Sequence, residues 1–299
     1  MSNKTWSIIG VPIDGLGVPG GTELSPAALR TAGLVQALAA QDLGDLPVRI
    51  VDPQRDPASG MIGFAGVYQT TLTIRQYLAD VLRRGERPVV VGGCCTLLLG
   101  VMAAARDVFG QVGLVYADGH MDLYDGQTSP GGEAADMPLG LLLGYGPAAL
   151  QPALGPDIPV VTPGDVALVG YRDLAEAASY GSRLPADLGP HFTHIDADSI
   201  RRLTPAYVGQ QVVKHLEAGT SRFWLHLDFD ILDQAIFPDD DYYLLPNGLT
   251  RDELVHLLRP IATSPGLIGV DIACYNPEKD KQGLFAQQII QHLTKILNG

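Results

Sequence analysis

Short β-branched runs alternate along this chain with longer segments whose apolar residues recur at helical spacing. The apolar runs predict strands over residues 6–11, 48–51, 88–91, 113–116, 166–169, 192–195, 222–227 and 267–271. The helical spacing predicts helices over 26–40, 68–84, 95–108, 205–218, 251–261 and 279–297. Ser25-Pro26 offers a cap ahead of a helix-starting proline, and Thr250 leads Glu253 at capping-box spacing. Several strands are apolar on both parities, which demands burial on both faces. Strands alternating with helices then predict an α/β fold, a mostly parallel sheet with helices on each side. No repeat, low-complexity tract or polar linker divides the chain, so residues 1–299 read as one domain. The stretch 144–164, rich in Pro and Gly, reads as a surface loop.

Composition narrows the function classes. A chain of 299 residues, 46% hydrophobic, buries roughly 75% of its unfolded surface and needs no disulfide staples. Its three cysteines, Cys94, Cys95 and Cys274, exclude a disulfide framework and suit a reducing, cytoplasmic setting. The net charge of -13 would repel phosphate backbones and anionic lipid, which disfavours nucleic-acid and membrane-surface partners. The start of the chain lacks a signal-peptide core. The uncharged stretch 89–105 is short for a membrane span, and Gly92-Gly93 interrupts it. It reads as a buried strand, a tight turn and a buried helix.

The chemistry collects where strands end, which is where ligands bind in open parallel sheets. One strand runs into Asp118-Gly119-His120-Met121-Asp122, another into Asp228-Phe229-Asp230, and a third into Gly92-Gly93-Cys94-Cys95. Residues i, i+2 and i+4 of an extended segment share a face, so Asp118, His120 and Asp122 should converge, as should Asp228 and Asp230. So many carboxylates together would repel one another without a cation. A divalent metal removes that cost and takes the same oxygens and nitrogen as ligands. One such Asp pair alone would read as turn chemistry; two at buried strand ends point to metal.

These residues resemble the ureohydrolase superfamily of arginases, agmatinases and formimidoylglutamases over nearly the whole length. Ile8-Ile9-Gly10-Val11-Pro12 and GTELSPAALRTAGL at 21–34 are similar to its opening strand and first helix. Asp118–Asp122 resembles its DAHxD motif, LDFDILD at 227–233 its SxDxDxxDP motif, GGCCTLLLG at 92–100 its GGDHSxxxG motif, and DIACYNP at 271–277 its DIVEVNP motif. The resemblance implies a three-layer α/β/α domain with an eight-stranded parallel sheet. It also implies two Mn²⁺ ions bridged by hydroxide, a small-molecule substrate, and a homo-oligomer, trimer or hexamer. Carried over by position, Asp118 and Asp228 would bridge the metals, His120 and Asp230 would complete one site, and Asp122 would serve the other. The sixth ligand position, a family His, is Cys95, whose thiolate would favour Zn²⁺ or a single ion.

The substrate shell departs further from the family. The Glu that holds a guanidinium is Cys274, which cannot offer a bidentate fork. The proton-shuttling His falls on Ala135. In the two substrate loops Tyr124, Gly131 and Ala175 replace polar residues, while Arg172 and Asp173 remain. The TGTP segment after Asp233 is replaced by Phe237-Pro238-Asp239-Asp240-Asp241-Tyr242-Tyr243, whose acidic run would suit a cationic amine. Asp122, Asp230, Tyr242 and His226 are the candidates for protonating a leaving nitrogen. His226 shares a face with Asp228 and reads as a partner behind the ligands. Three readings stay open: a binuclear hydrolase of a changed carbon–nitrogen substrate, a single-zinc amidohydrolase on Asp118, His120 and Asp228, or a non-catalytic binding relative. A thiol nucleophile at Cys274 is a variant of the second reading and lacks an adjacent activating His.

Overall fold

The computed structural model describes residues 5–156, 158–236 and 246–298. Its strands are β1 (Trp6–Val11), β2 (Gln41–Asp45), β3 (Arg87–Gly92), β4 (Gly113–Ala117), β5 (Val166–Val169), β6 (Thr193–Ile195), β7 (Phe223–Asp228) and β8 (Leu267–Ala273). They form one eight-stranded sheet in the order β2-β1-β3-β8-β7-β4-β5-β6, with every neighbouring pair parallel. The α/β class read from the alternation is the observed one. Strands β8 and β7 enter between β3 and β4, so four chemically loaded strand ends lie side by side at the middle of the sheet.

Alternation splits each strand between two apolar layers. Tyr116 and Trp224 pack on the face covered by helices Phe64–Arg83 and Leu98–Phe109. Val115, Leu225 and Leu227 pack on the other, beneath Ser25–Thr31, Pro205–Gly219, Arg251–Thr263 and Leu284–Leu297. Burying both faces makes the central strands near-continuous apolar runs, which is why they were legible. Register also sets a transverse row: Tyr116 on β4 sits opposite His226 on β7, which sits opposite Asp271 on β8.

Some expectations are corrected. The strand expected at 48–51 lies instead at Gln41–Asp45. That edge strand is mostly exposed, so it shows no apolar alternation, and Arg30 pairs with its Asp42 and Asp45. Val48 and Ile50 are buried without joining the sheet. The helix expected over 26–40 breaks at Gly33, which takes φ 101° between Ser25–Thr31 and Leu34–Ala37. Ser25 is the first helical residue rather than the cap, a place held by Leu24. The last helix starts only at Leu284, after Gly283. Thr250 and Glu253 do form the reciprocal capping box. The stretch 144–164 is partly a packed element: Leu150, Ala153, Leu154, Val160 and Val161 are buried there.

The Gly92-Gly93 turn places Cys94 and Cys95. The Gly93 N–H donates to the Val11 carbonyl (3.2 Å), and the Gly93 carbonyl accepts from the Cys274 N–H (2.7 Å). A Cβ on Gly93 would lie 1.7 Å from the Ile13 carbonyl oxygen, a backbone atom that cannot step aside. Gly93→Ala is therefore expected to destabilise the protein by about 3 kcal/mol or more. Thermal denaturation checks this; an unchanged melting temperature would contradict the close approach.

Candidate metal centre

Four adjacent strand ends supply the site. Asp118 follows β4 and is fixed by its N–H donating to the Val169 carbonyl at 3.1 Å. Its Oδ1 accepts from the His120 N–H at 2.6 Å. His120 Nδ1 lies 2.5 Å from Asp230 Oδ2 and 3.8 Å from Asp118 Oδ1. Asp230 is held in turn by the Gly119 N–H, which donates to its Oδ1 at 2.7 Å. Asp228 Oδ1 accepts from the Asp230 N–H at 2.7 Å, and the Cys95 thiol donates to Asp228 Oδ2, also at 2.7 Å.

Two sets of donors result, each with all its donor atoms within 4.8 Å of one another. One comprises Asp118, His120 and Asp230; the other comprises Cys95, Asp118, His226 and Asp228. Of the expected ligands, Asp118, His120, Asp228, Asp230 and Cys95 are thus brought together. Asp122 is not in either set. Its φ of 48° turns the chain, so the extended geometry expected through 118–122 does not hold, and Tyr116 Oη donates to its Oδ2. Tyr242 and the acidic run 239–241 lie outside the described residues.

The electrostatics match a cation site. Burial first, then the Asp230 and Asp228 charges, push the Asp118 carboxyl well above its ordinary pKa. Burial and Asp230 raise Asp228 to about 6. Burial and Asp118 raise Asp122. Asp230 is the exception: burial works to raise it, but His120 and Arg172 outweigh burial and hold it low. For His120 burial acts downward, and Asp230 more than reverses it. Buried Asp118 Oδ2 and His226 Nε2 have no hydrogen-bond partner among the described residues. Two such orphaned acceptors beside crowded carboxylates are what a divalent ion would satisfy, so the residues fit one.

Above these groups opens a cleft with a cavity of about 210 Å³. Asp122, Asp230, Cys95 and Cys274 line it, as do Tyr124 and Ala135. Cys274, at φ 60°, places its sulfur 3.7 Å from that of Cys95. Asp14, Glu133, Asp136 and Glu176 also line the cleft and were missed. No local motif marked them, because their shared wall exists only once separate loops fold together. In the sequence Asp271 stands out only as the first residue of the DIACYNP segment. In the fold its Oδ2 lies 2.5 Å from His226 Nδ1, and its Oδ1 accepts from Trp224 Nε1 at 2.6 Å.

Comparisons with known proteins identify the family and the fold. Residues 4–295 match the arginase family. The arginase of Bacillus subtilis (strain 168) is 30% identical over 300 residues, covering 97% of this chain and 98% of its own length. The arginase of Bacillus caldovelox is 27% identical over 285 residues, 93% of each chain. Its solved structure superposes with a TM-score of 0.88 at 26% identity and 99% coverage of both chains. The formimidoylglutamase of Bacillus subtilis superposes at 0.74 with 19% identity, over 100% of this chain and 87% of its own, which shows the shared fold.

The raised carboxyls fix the sign of a pH effect. Asp118, Asp122 and Asp228 hold their protons more tightly folded than unfolded. The stability each contributes is complete below its unfolded pKa and is lost as pH rises through the folded value, about 6 for Asp228. The raised His120 acts in the same direction. Metal-free protein should therefore melt at a higher temperature at pH 5 than at pH 8, and Asp228→Asn should shrink the difference. Calorimetry after chelation checks this; a melting temperature that climbs from pH 5 to pH 8 would contradict it.

Proposed function

The chain belongs to the arginase family, and from that premise we propose that it is a metal-dependent hydrolase of a linear, non-peptide carbon–nitrogen bond. The substrate class is a guanidine, amidine or amide other than free arginine. The observation that carries this reading is Cys274, a thiol lining the cleft where the family resemblance calls for a guanidinium-holding carboxylate. The second support is the cleft wall. Asp14, Glu133, Asp136, Asp173 and Glu176 line it, and no Lys or Arg among the described residues does. The carboxylate of an amino-acid substrate would meet like charge there, whereas a cationic amine would be drawn in.

The proposed holding residues at the cleft are Asp118, His120 and Asp230, with Asp228 and Cys95 beside them in the second donor set. A divalent ion bound there supplies a water acidified to near-neutral pKa and polarisation of the trigonal carbon's substituent. The chain's own groups do the rest. The Gly119 N–H and the Asp230–His120 contact fix the donors in place before substrate arrives. Burial and Asp122 keep the Tyr116 phenol protonated, and its Oη–H donates to Asp122 Oδ2. That leaves Asp122, whose side chain reaches the cleft, as a carboxyl able to take a proton from water and pass it to the leaving nitrogen. Ala135 offers no such group.

Two outcomes test this. Asp228→Asn should abolish metal uptake and turnover together, because it removes a charge at the centre of the donor cluster; elemental analysis and an ammonia or urea release assay read the two. In a screen of linear guanidines and amidines, compounds bearing a second amine and no carboxylate should exceed arginine in kcat/KM by about 100-fold. Robust urea release from arginine would overturn the substrate assignment.

A further inference from the structure

The second donor set has a composition that the family resemblance does not supply. It contains Cys95 Sγ, His226 Nε2 and carboxylate oxygens of Asp118 and Asp228, from the ends of β3, β7 and β4. The geometry points to a thiolate–imidazole metal site selective for zinc over manganese, in which His226 fills the ligand place expected of Asp122. Three independent observations carry this. Asp122 is engaged by Tyr116 and stands outside the set. His226 is fully buried, and its Nε2, lacking any partner among the described residues, lies 3.7 Å from the equally unpartnered Asp118 Oδ2. His226 Nδ1 contacts Asp271 Oδ2, and Trp224 Nε1 donates to the other Asp271 oxygen.

That last arrangement is the carboxylate–histidine support found behind metal-bound imidazoles. A hydrogen bond at Nδ1 fixes the tautomer that leaves the Nε2 lone pair free, and Trp224 fixes the carboxylate. Sulfur and imidazole together suit zinc, whereas manganese prefers oxygen. On binding, the Cys95 thiol proton, now donated to Asp228 Oδ2, leaves to solvent as the sulfur–metal bond forms. The inference rests on the metal-holding part of the function proposed above and on no substrate.

The test is Co²⁺ as a probe for zinc, loaded into the reduced, full-length protein. The expected spectrum has an intense near-ultraviolet sulfur-to-cobalt charge-transfer band and strong visible bands of a tetrahedral ion. Cys95→Ser should remove the charge-transfer band, while Cys274→Ser keeps it. His226→Gln should weaken Zn²⁺ binding at this site by at least about 100-fold, whereas Asp122→Asn should leave it within about two-fold. Should His226→Gln fail to fold, zinc K-edge absorption of the unaltered protein decides, with one sulfur at about 2.3 Å expected. A weak octahedral spectrum, no sulfur scatterer, loss of the band in Cys274→Ser, or an Asp122→Asn defect equal to that of His226→Gln would each overturn the site. Those results with hydrolysis intact would leave the proposed function standing; the full cobalt signature without turnover of any amidine would overturn that function and keep the site.

Discussion

Everything at the centre of this molecule depends on how Asp118, Asp228 and Asp230 are kept folded together. All three are buried, and Asp118 and Asp228 titrate upward because water does not reach them and neighbouring carboxylates do. Several hydrogen bonds help: N–H groups of His120, Asp230 and Gly119 each donate to one of these carboxylates. They do not balance the charge. His120 pairs most closely with Asp230, and Arg172 donates to the Asp230 and Ile231 backbone carbonyls. Uncompensated buried charge is among the costliest features a fold can hold. A divalent cation offsets it directly, which ties the stability of the sheet's centre to the function of its edge.

The sheet makes this convergence possible through its strand order. Had β3 and β4 been neighbours, the site would have had two strand ends to draw on. Inserting β8 and β7 between them brings four ends together and places Cys95, Cys274, Asp228 and Asp118 in sequence across the sheet. The same registers that align the ends also align Tyr116, His226 and Asp271 one layer below. That polar row is therefore a product of strand register, not of local sequence.

That distinction separates what could be read from the chain from what could not. Asp118, His120, Asp228 and Asp230 were legible because each closely follows a buried apolar run, where clustered carboxylates are costly unless they hold a cation. Central strands were legible because burial on both faces makes them uniformly apolar. Gln41–Asp45 was not, since an exposed edge strand carries no alternation and its pairing with β1 is visible only in three dimensions. Asp122 stands outside both donor sets because period-two reasoning assumes an extended chain, and the left-handed Asp122 ends the extension. The direction of the His226 side chain was legible from alternation with Asp228; its partners were not, because Asp271 reaches it across strands, held there by Trp224. Glu133 and Asp136 meet Glu176, on the helix Leu174–Ser179, only after segments distant in sequence assemble.

The two donor sets differ in a way that bears on where chemistry can happen. Cys95, His226, Asp118 and Asp228 make four donors, all buried, and an ion held by all four would have no position left for water or substrate. Asp118, His120 and Asp230 make three, and the His120 side chain is 31% exposed at the cleft. An ion in the closed set would act chiefly as fixed charge, holding Asp118 and Asp228 ionised and oriented. An ion in the open set would keep the free positions that hydrolysis needs. On the proposed arrangement a thiol in place of imidazole at Cys95 would leave the open set unchanged, since the softer ligand would belong to the closed one. Cys274, at the boundary between that half and the cleft, is where a change in metal preference and a change in substrate preference would meet.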